Sequence, residues 1–381
     1  MSATFTPTPV EQKTYTQPAS GDNKDVSSIL PFLQGLADGL AALPRIGENW
    51  LPKATSAHNL QRGTWSVREQ AWYAVAPGGN DAADVSYDGG RTWAAITPGS
   101  STLACEDCAA SSSAGHVVII NSGSRSVYKG TYSGFGSVAW STTTNALSVS
   151  PTAGTPKVTF DPVHAAWVVA YRNGSSGMKA EASTNGTAYT AATLPTAWSG
   201  YTGTAAAPQL LANELGTTVA WFYDNVATLF RIMFSADGGA TWTESTSIAA
   251  TTFTPAVVGK PAYESVLGEW YLVASKTSTR QTQVLRSTDG GVSWIDVGCA
   301  TSDMALQDVV AVNGILVGVN DDGRIYRSTD RGVTWALVTT NPITSAARPY
   351  LRKGDGQLVV WNAADKTIFA TLRMGASPPA T

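Results

Sequence analysis

Short apolar runs, each closed off by glycine, asparagine, aspartate or proline, fill most of this chain. Tyr73-Ala74-Val75-Ala76, Val168-Val169-Ala170-Tyr171 and Tyr271-Leu272-Val273-Ala274 are rich in β-branched and aromatic side chains, the pattern of buried strands. An aromatic pair at an interval of seven introduces each run: Trp65 and Trp72, Phe160 and Trp167, Tyr263 and Trp270. This spacing puts the first aromatic on one strand and the second at the start of the next. Residues 25–43 break the pattern. There Ile29, Leu30, Phe32, Leu33, Leu36, Leu40 and Leu43 recur at the spacing of one helical face. Ser28 is placed to cap that helix, and Pro31 falls in its first turn, where the missing N–H removes no intrahelical bond. Pro44 ends it. Gly35 and Gly39 each cost about 1 kcal/mol relative to alanine, so the predicted helix needs a packing partner. Residues 1–24, with Pro7, Pro9 and Pro18, read as an extended arm, and 44–57, with Pro44, Gly47 and Pro52, as a linker.

The punctuation between strands is itself repeated. Ser287-Thr288-Asp289-Gly290-Gly291-Val292-Ser293-Trp294 returns as Ser235-Ala236-Asp237-Gly238-Gly239-Ala240-Thr241-Trp242, as Ser86-Tyr87-Asp88-Gly89-Gly90-Arg91-Thr92-Trp93 and as Ser328-Thr329-Asp330-Arg331-Gly332-Val333-Thr334-Trp335. A weaker copy runs Ser183-Thr184-Asn185-Gly186-Thr187-Ala188-Tyr189. Aspartate or asparagine accepts hydrogen bonds from backbone N–H groups a few residues on, and glycine supplies a positive φ without a steric penalty. The tryptophan then opens the next strand, where it can bury a large apolar area.

This repeat resembles the Asp-box, the bacterial neuraminidase repeat that joins the third and fourth strands of a β-propeller blade. The resemblance implies an all-β propeller. It also implies a structural rather than catalytic role for Asp88, Asn185, Asp237, Asp289 and Asp330, and for Trp93, Trp242, Trp294 and Trp335. Successive boxes mark blades ending near 98, 191, 246, 298 and 339. The step from Asp88 to Asn185 is double length, so a degenerate blade belongs between them. Its turn is Thr131-Tyr132-Ser133-Gly134-Phe135-Gly136-Ser137-Val138-Ala139-Trp140, which has lost the aspartate. A further set of strands at 348–351, 357–361 and 367–373 lacks a fourth member, which residues near 50–57 are expected to supply. Seven blades are therefore expected, with six blades and an irregular tail as the alternative. The domain boundaries are an arm, helix and linker at 1–53, a propeller at 54–374 and a flexible tail at 375–381.

The chain has 381 residues, 14% of them charged, and a formal net charge of −3. No basic run or cluster suggests a nucleic-acid surface. No apolar run is long enough to span a bilayer, and no secretory signal is recognisable at the N-terminus. Cys105 and Cys108 form a C-x-x-C without a second ligand pair, and Cys299 stands apart, so thiols or a local disulfide are expected in place of a metal or redox centre. No metal or cofactor is expected.

Catalytic signatures are sparse. A sialidase would need three converging arginines, a Tyr-Glu pair and an aspartic acid, and Pro44-Arg45-Ile46 only partly echoes that family's early signature. Arg286, Arg327 and Arg331 adjoin the boxes, and Arg172, Arg231, Arg280 and Arg324 show no common location. Asp161, Glu214, Asp224, Glu264, Asp303 and Asp308 have the type required of a glycosidase pair and are expected to be solvated loop carboxylates. His58, His116 and His164 have no ligand spacing. Trp221 lies in an apolar strand and reads as core. Trp198 and Tyr201, in a loop after Pro195, are the candidate ligand contacts, suited to stacking on sugar rings.

A second resemblance concerns the N-terminus. Gly21-Asp22, Val26-Ser27-Ser28 and Leu33-Gln34-Gly35-Leu36-Ala37-Asp38 are similar to the attachment stretch of tailed-phage fibre proteins. Ser28 stands where that pattern has asparagine, Gly35 replaces an alanine, and no Arg-Thr follows Asp38. The resemblance implies a virion structural protein, not an enzyme, of fibre, spike or decoration type. Residues 1–53, through Ile29, Phe32, Leu33, Leu36 and Leu40, would bind other virion proteins and sister chains in a homo-oligomer. The propeller would meet a host-surface receptor or glycan, and the protein would reside in the virion after synthesis in the host cytoplasm. The alternatives are a helix packed on the propeller's own rim, a sialidase-like carbohydrate-active enzyme, and an assembly factor resembling the photosystem type.

Overall fold

The computed structural model describes residues 50–371 apart from Ala57 and the segments 78–81, 97–104, 114, 135, 175–176, 204–206, 247, 250–253, 300–302, 340–348, 355–356 and 363–366. The helix expected over 25–43, with Ile29, Phe32, Leu33, Leu36 and Leu40, and the tail at 375–381 lie outside the described residues.

Among the described residues, seven antiparallel sheets of four or five strands form the molecule, six of them built from strands consecutive in sequence. The first strands of the sheets are Arg62–Ser66, Cys105–Ala110, Lys157–Asp161, Gln209–Ala212, Val257–Val258 with Ala262–Glu264, Leu306–Val312 and Tyr350–Gly354. First strands of neighbouring sheets touch one another from blade one to blade four and from blade five to blade seven. The Trp221 indole of blade four donates to Gly259 O of blade five at 2.9 Å, and Tyr350–Gly354 touches Arg62–Ser66, so the sheets ring a central axis as in a seven-bladed β-propeller. Blade seven is completed by Trp50–Thr55, which pairs with Thr367–Thr371 in the register Trp50↔Thr371 to Thr55↔Thr367. This is the strand expected from residues near 50–57. It begins before the 53/54 boundary, which therefore cuts through a blade. Closure by the two ends of the chain removes two edges that would otherwise template strand addition.

The seven-residue aromatic interval is a hairpin register. Trp65 faces Trp72, Phe160 faces Trp167 and Tyr263 faces Trp270 across the first two strands of their blades. Their ring centroids stand 5.4, 4.8 and 4.9 Å apart, within the range where aromatic pairs attract beyond their buried area. Trp72, Trp167, Trp221, Trp270 and Trp361 are fully buried on second strands, in clusters that bridge neighbouring blades.

The repeated turns join third to fourth strands as expected. Asp289 accepts bonds from Ser287 Oγ at 2.8 Å, from Ser293 N at 2.9 Å and from Ser293 Oγ. The N–H of Gly291 returns to Ser287 Oγ at 2.9 Å, and the Trp294 indole donates to Gly291 O at 3.0 Å. Asp88, Asp237 and Asp330 make the same bonds, with Trp93, Trp242 and Trp335 donating to Gly90, Gly239 and Gly332. Asn185 keeps the acceptor role through its amide oxygen, taking bonds from Thr187 N and Ala188 N at 2.9 Å. The carboxyls sit below the ordinary aspartate range: burial acts upward on each, and these donated bonds outweigh it. A second consequence is inter-blade spacing. A Cβ on Gly239, at φ +85°, would stand 2.8 Å from Val168 Cγ1 of the preceding blade. In blade two the degenerate turn joins Val127–Gly134 to Ser137–Thr143, the place assigned to it.

Cys105 and Cys108 are buried thiols on one inner strand with no disulfide between them. Burial pushes the Cys108 thiol well above its ordinary range.

Candidate functional site

Because each blade runs first strand to fourth without crossing, the starts of all first strands lie on one face and the repeated turns lie on the other. Apolar side chains such as Leu351 on the inner strands enter the inter-blade core. The polar residues near their starts gather at one mouth of the channel: Arg62, Lys157, Gln209, Lys260, Gln307 and Arg352, drawn from six blades.

Two bulges shape this mouth. The pairing register slips between Cys105 and Asp107 and again between Leu306 and Asp308, an irregularity that re-aims side chains. Asp107 then accepts the backbone N–H of Val158 on the next blade at 3.1 Å, and Asp308 accepts that of Leu351 on its next blade, also at 3.1 Å. Both aspartates thereby satisfy inner-strand donors that would otherwise be buried without partners.

Glu106 is the hub of one ion cluster. It pairs with Arg62, receives Lys157 Nζ at 3.0 Å and accepts from Ser122 Oγ at 3.2 Å. Burial pushes the Glu106 carboxyl up, but Lys157 and Arg62 outweigh it and hold the group below its usual range. Lys157 is brought down to about 8, first by burial and then by Arg62, against the pull of Glu106 and Asp107. Arg62 lies 5.4 Å above the ring of Tyr350, a cation–π distance. Across the mouth Arg352 pairs with Asp308.

Lys260 is different. Half-buried between these clusters, it has no ion pair or hydrogen bond among the described residues. Burial lowers its pKa first and Arg352 second, while Asp107 and Asp308 act in the other direction. Beside it, Gln307 is 5% exposed, and among the described residues neither atom of its amide has a hydrogen-bond partner and Arg352 Nε also lacks one. These groups line a chamber of about 480 Å³. A second chamber of about 320 Å³, with Trp65, Leu211 and Val310 among its walls, shares Lys260 and Arg352 with the first and continues down the axis. Lys353 enters it with Nζ 3.1 Å from Ala311 O and 3.4 Å from Tyr263 O.

Several residues named from sequence fall elsewhere. Trp198 and Tyr201 are not exposed platforms. Trp198, on the short helix Thr196–Ser199, is 0% exposed, and Tyr201 is 5% exposed; both rings meet Phe222 in T-shaped contacts with centroids 4.6 and 4.8 Å apart. The loop folds back onto blades three and four, where burying two aromatics outweighs exposing them for a ligand. Trp221 is core, as read. Asp161, Asp224, Glu264 and Asp308 are buried, not solvated. The first three cap turns, accepting backbone N–H groups from Val163, Val226 and Val266. Arg231 pairs with Asp224 and Glu244, and Arg280 with Asp303, Asp321 and Asp322. Among the described residues Tyr171 donates to Glu181 and Tyr271 to Glu269, but both pairs are buried inside blades. At the mouth Glu106 is held below its usual range, and the carboxyls that burial pushes up, Glu69, Asp84 and Asp321, are not among the residues lining the chamber. Arg62, Glu106, Lys157, Lys260 and Arg352 carried no local sequence signal. Aligning the blades would have exposed a charged or amide residue near the start of nearly every inner strand.

No family model matches the sequence, and no curated protein matches it. Among solved structures, the chain is similar to "YCF48 from Cyanidioschyzon merolae", with 17% identity and a TM-score of 0.58 over 84% of this chain and 98% of that one. It is also similar to the chain described as "YCF48 bound to D1 peptide", with 13% identity and a TM-score of 0.61 over 87% and 99%. "Structure of U3-55K" aligns at 10% identity and a TM-score of 0.57 over 87% and 100%. At these identities the likeness is one of fold, the β-propeller.

Proposed function

We propose that this protein is a non-catalytic virion structural component of a tailed phage, attached through residues 1–53 and presenting the channel mouth to a host surface. The observation that supports it best is the polarity of the chain. Trp50 and Thr371, where the described chain begins and ends, are register partners on the repeated-turn face, opposite the charged mouth. An anchor that enters on one face leaves the other open for contact. The N-terminal resemblance to fibre attachment stretches supplies the setting. The Asp-box resemblance supplies the expectation of a rigid, non-catalytic scaffold. A sialidase-like reading would need an acid with a raised pKa beside converging arginines, and the mouth carboxylates are instead engaged by cations and backbone N–H groups. A second reading rests on the solved neighbour described as bound to a peptide: a propeller of this fold whose partner is a protein segment.

The test is the mass of the full chain in solution by light scattering, beside a Leu33→Asp, Leu36→Asp variant. An oligomer that the double substitution converts to a folded monomer supports attachment through residues 1–53. A monomeric full chain contradicts it.

A further inference from the structure

We propose that the mouth chamber binds a sugar acid, with the carboxylate between Lys260 and Arg352 and ring hydroxyls at Gln307 and Gln209. This deepens the host-surface reading above and rests on it. Charge points to a monoanion. Arg62, Lys157, Lys260 and Arg352 bring four cations against three carboxylates, Glu106, Asp107 and Asp308. Glu106 serves two cations, Asp308 serves Arg352, and Lys260 is left in the chamber wall without an ion partner among the described residues. A half-buried cation without a counter-ion is destabilising, and one negative charge restores balance where a dianionic phosphate would overshoot.

The rest of the wall points to hydroxyl groups. Gln307 offers an unpartnered amide donor and an unpartnered acceptor from an almost fully buried position, and Arg352 offers an unused Nε. A sugar hydroxyl both donates and accepts, so it satisfies such an amide where a simple inorganic anion satisfies only its donor. At about 480 Å³ the chamber lies within the roughly 300–1,000 Å³ of small-ligand sites. Glu106, Asp107 and Asp308 are engaged by cations and backbone N–H groups and not set to protonate a glycosidic oxygen, which fits a sugar that is held and not cleaved.

The experiment is isothermal titration of the full chain with three probes: glucuronate, glucose, and a short peptide with an uncapped C-terminal carboxylate. The inference expects glucuronate to bind, and glucose and the peptide to bind at least tenfold more weakly. Lys260→Gln should weaken glucuronate at least tenfold without lowering the thermal midpoint, since it removes an unpaired cation. Gln307→Leu should weaken it as well, whereas Lys353→Gln, in the lower chamber, should not. Equal binding of glucose and glucuronate, preference for the peptide, absence of glucuronate binding, or an unchanged affinity in Lys260→Gln each overturns the sugar-acid assignment. The host-surface reading fails by a different result. If the full chain binds glucuronate but remains monomeric in light scattering, the ligand stands and the attachment reading falls. If it oligomerises without binding glucuronate, the reverse holds.

Discussion

Replacing Glu106 with glutamine removes one charge from the centre of the mouth while conserving volume and a hydrogen-bonding oxygen. Its side chain is 3% exposed and serves Lys157, 2% exposed, and Arg62, 11% exposed. Breaking a buried pair by neutralising one partner costs about 3–5 kcal/mol, because the remaining charge stays in the low-dielectric interior. Two cations are stranded here, but Lys157, already down at about 8, can shed its proton and limit the loss. We therefore expect Glu106→Gln to lower unfolding free energy by about 3 kcal/mol, the low end of that range. Lys157→Met alone removes a cation from a crowded site and should cost less. The double variant should recover part of the loss, with a coupling energy of about 1–3 kcal/mol. Urea unfolding followed by tryptophan fluorescence reads all four members of the cycle. A Glu106→Gln midpoint equivalent to less than about 0.5 kcal/mol, the scale of an ordinary surface change, would refute the hub role. So would strict additivity of the two substitutions.

Four further outcomes follow from the same structure. Asp289→Ala should cost about 2 kcal/mol in denaturant titration and Asp289→Asn about 1, since Asn185 already performs the acceptor role with an amide. Gly239→Ala should cost about 3 kcal/mol, combining a left-handed backbone with a Cβ pressed against Val168, and should read out as a lowered thermal midpoint. Trp198→Ala should destabilise by about 3–5 kcal/mol while leaving glucuronate affinity of the folded fraction unchanged, as befits a core residue. Stability should rise with pH from about 8 toward roughly 10, because the folded state releases the Lys157 proton before the unfolded chain does near ~10.4, and Lys157→Met should flatten that slope.

The sequence was most informative where the physics is local. An aspartate that bonds the next turn of backbone, a glycine at positive φ and a tryptophan that donates to that glycine lie within eight consecutive residues, so each copy announces itself. The Trp65–Trp72 interval was readable for the same reason, as the two ends of one hairpin. Even blade closure followed from counting strands, although the boundary at 53/54 cut Trp50–Thr55, whose pairing partner lies more than three hundred positions away. Trp198 misled because a loop after a proline looks exposed until blades three and four enclose it. The mouth stayed hidden because Arg62 and Arg352 meet only when seven blades close. A chain with no basic run can still gather four cations when each blade contributes the start of one strand.

Hydroxyl-radical footprinting of the full-chain assembly against the Leu33→Asp, Leu36→Asp variant tests the polarity on which the account rests. Leu215 and Val266, 70% and 71% exposed on the repeated-turn face, should lose reactivity in the assembly, while Pro255 and Tyr350 at the mouth keep theirs. Protection of Pro255 and Tyr350 with Leu215 and Val266 left reactive would contradict it, placing the attachment on the mouth.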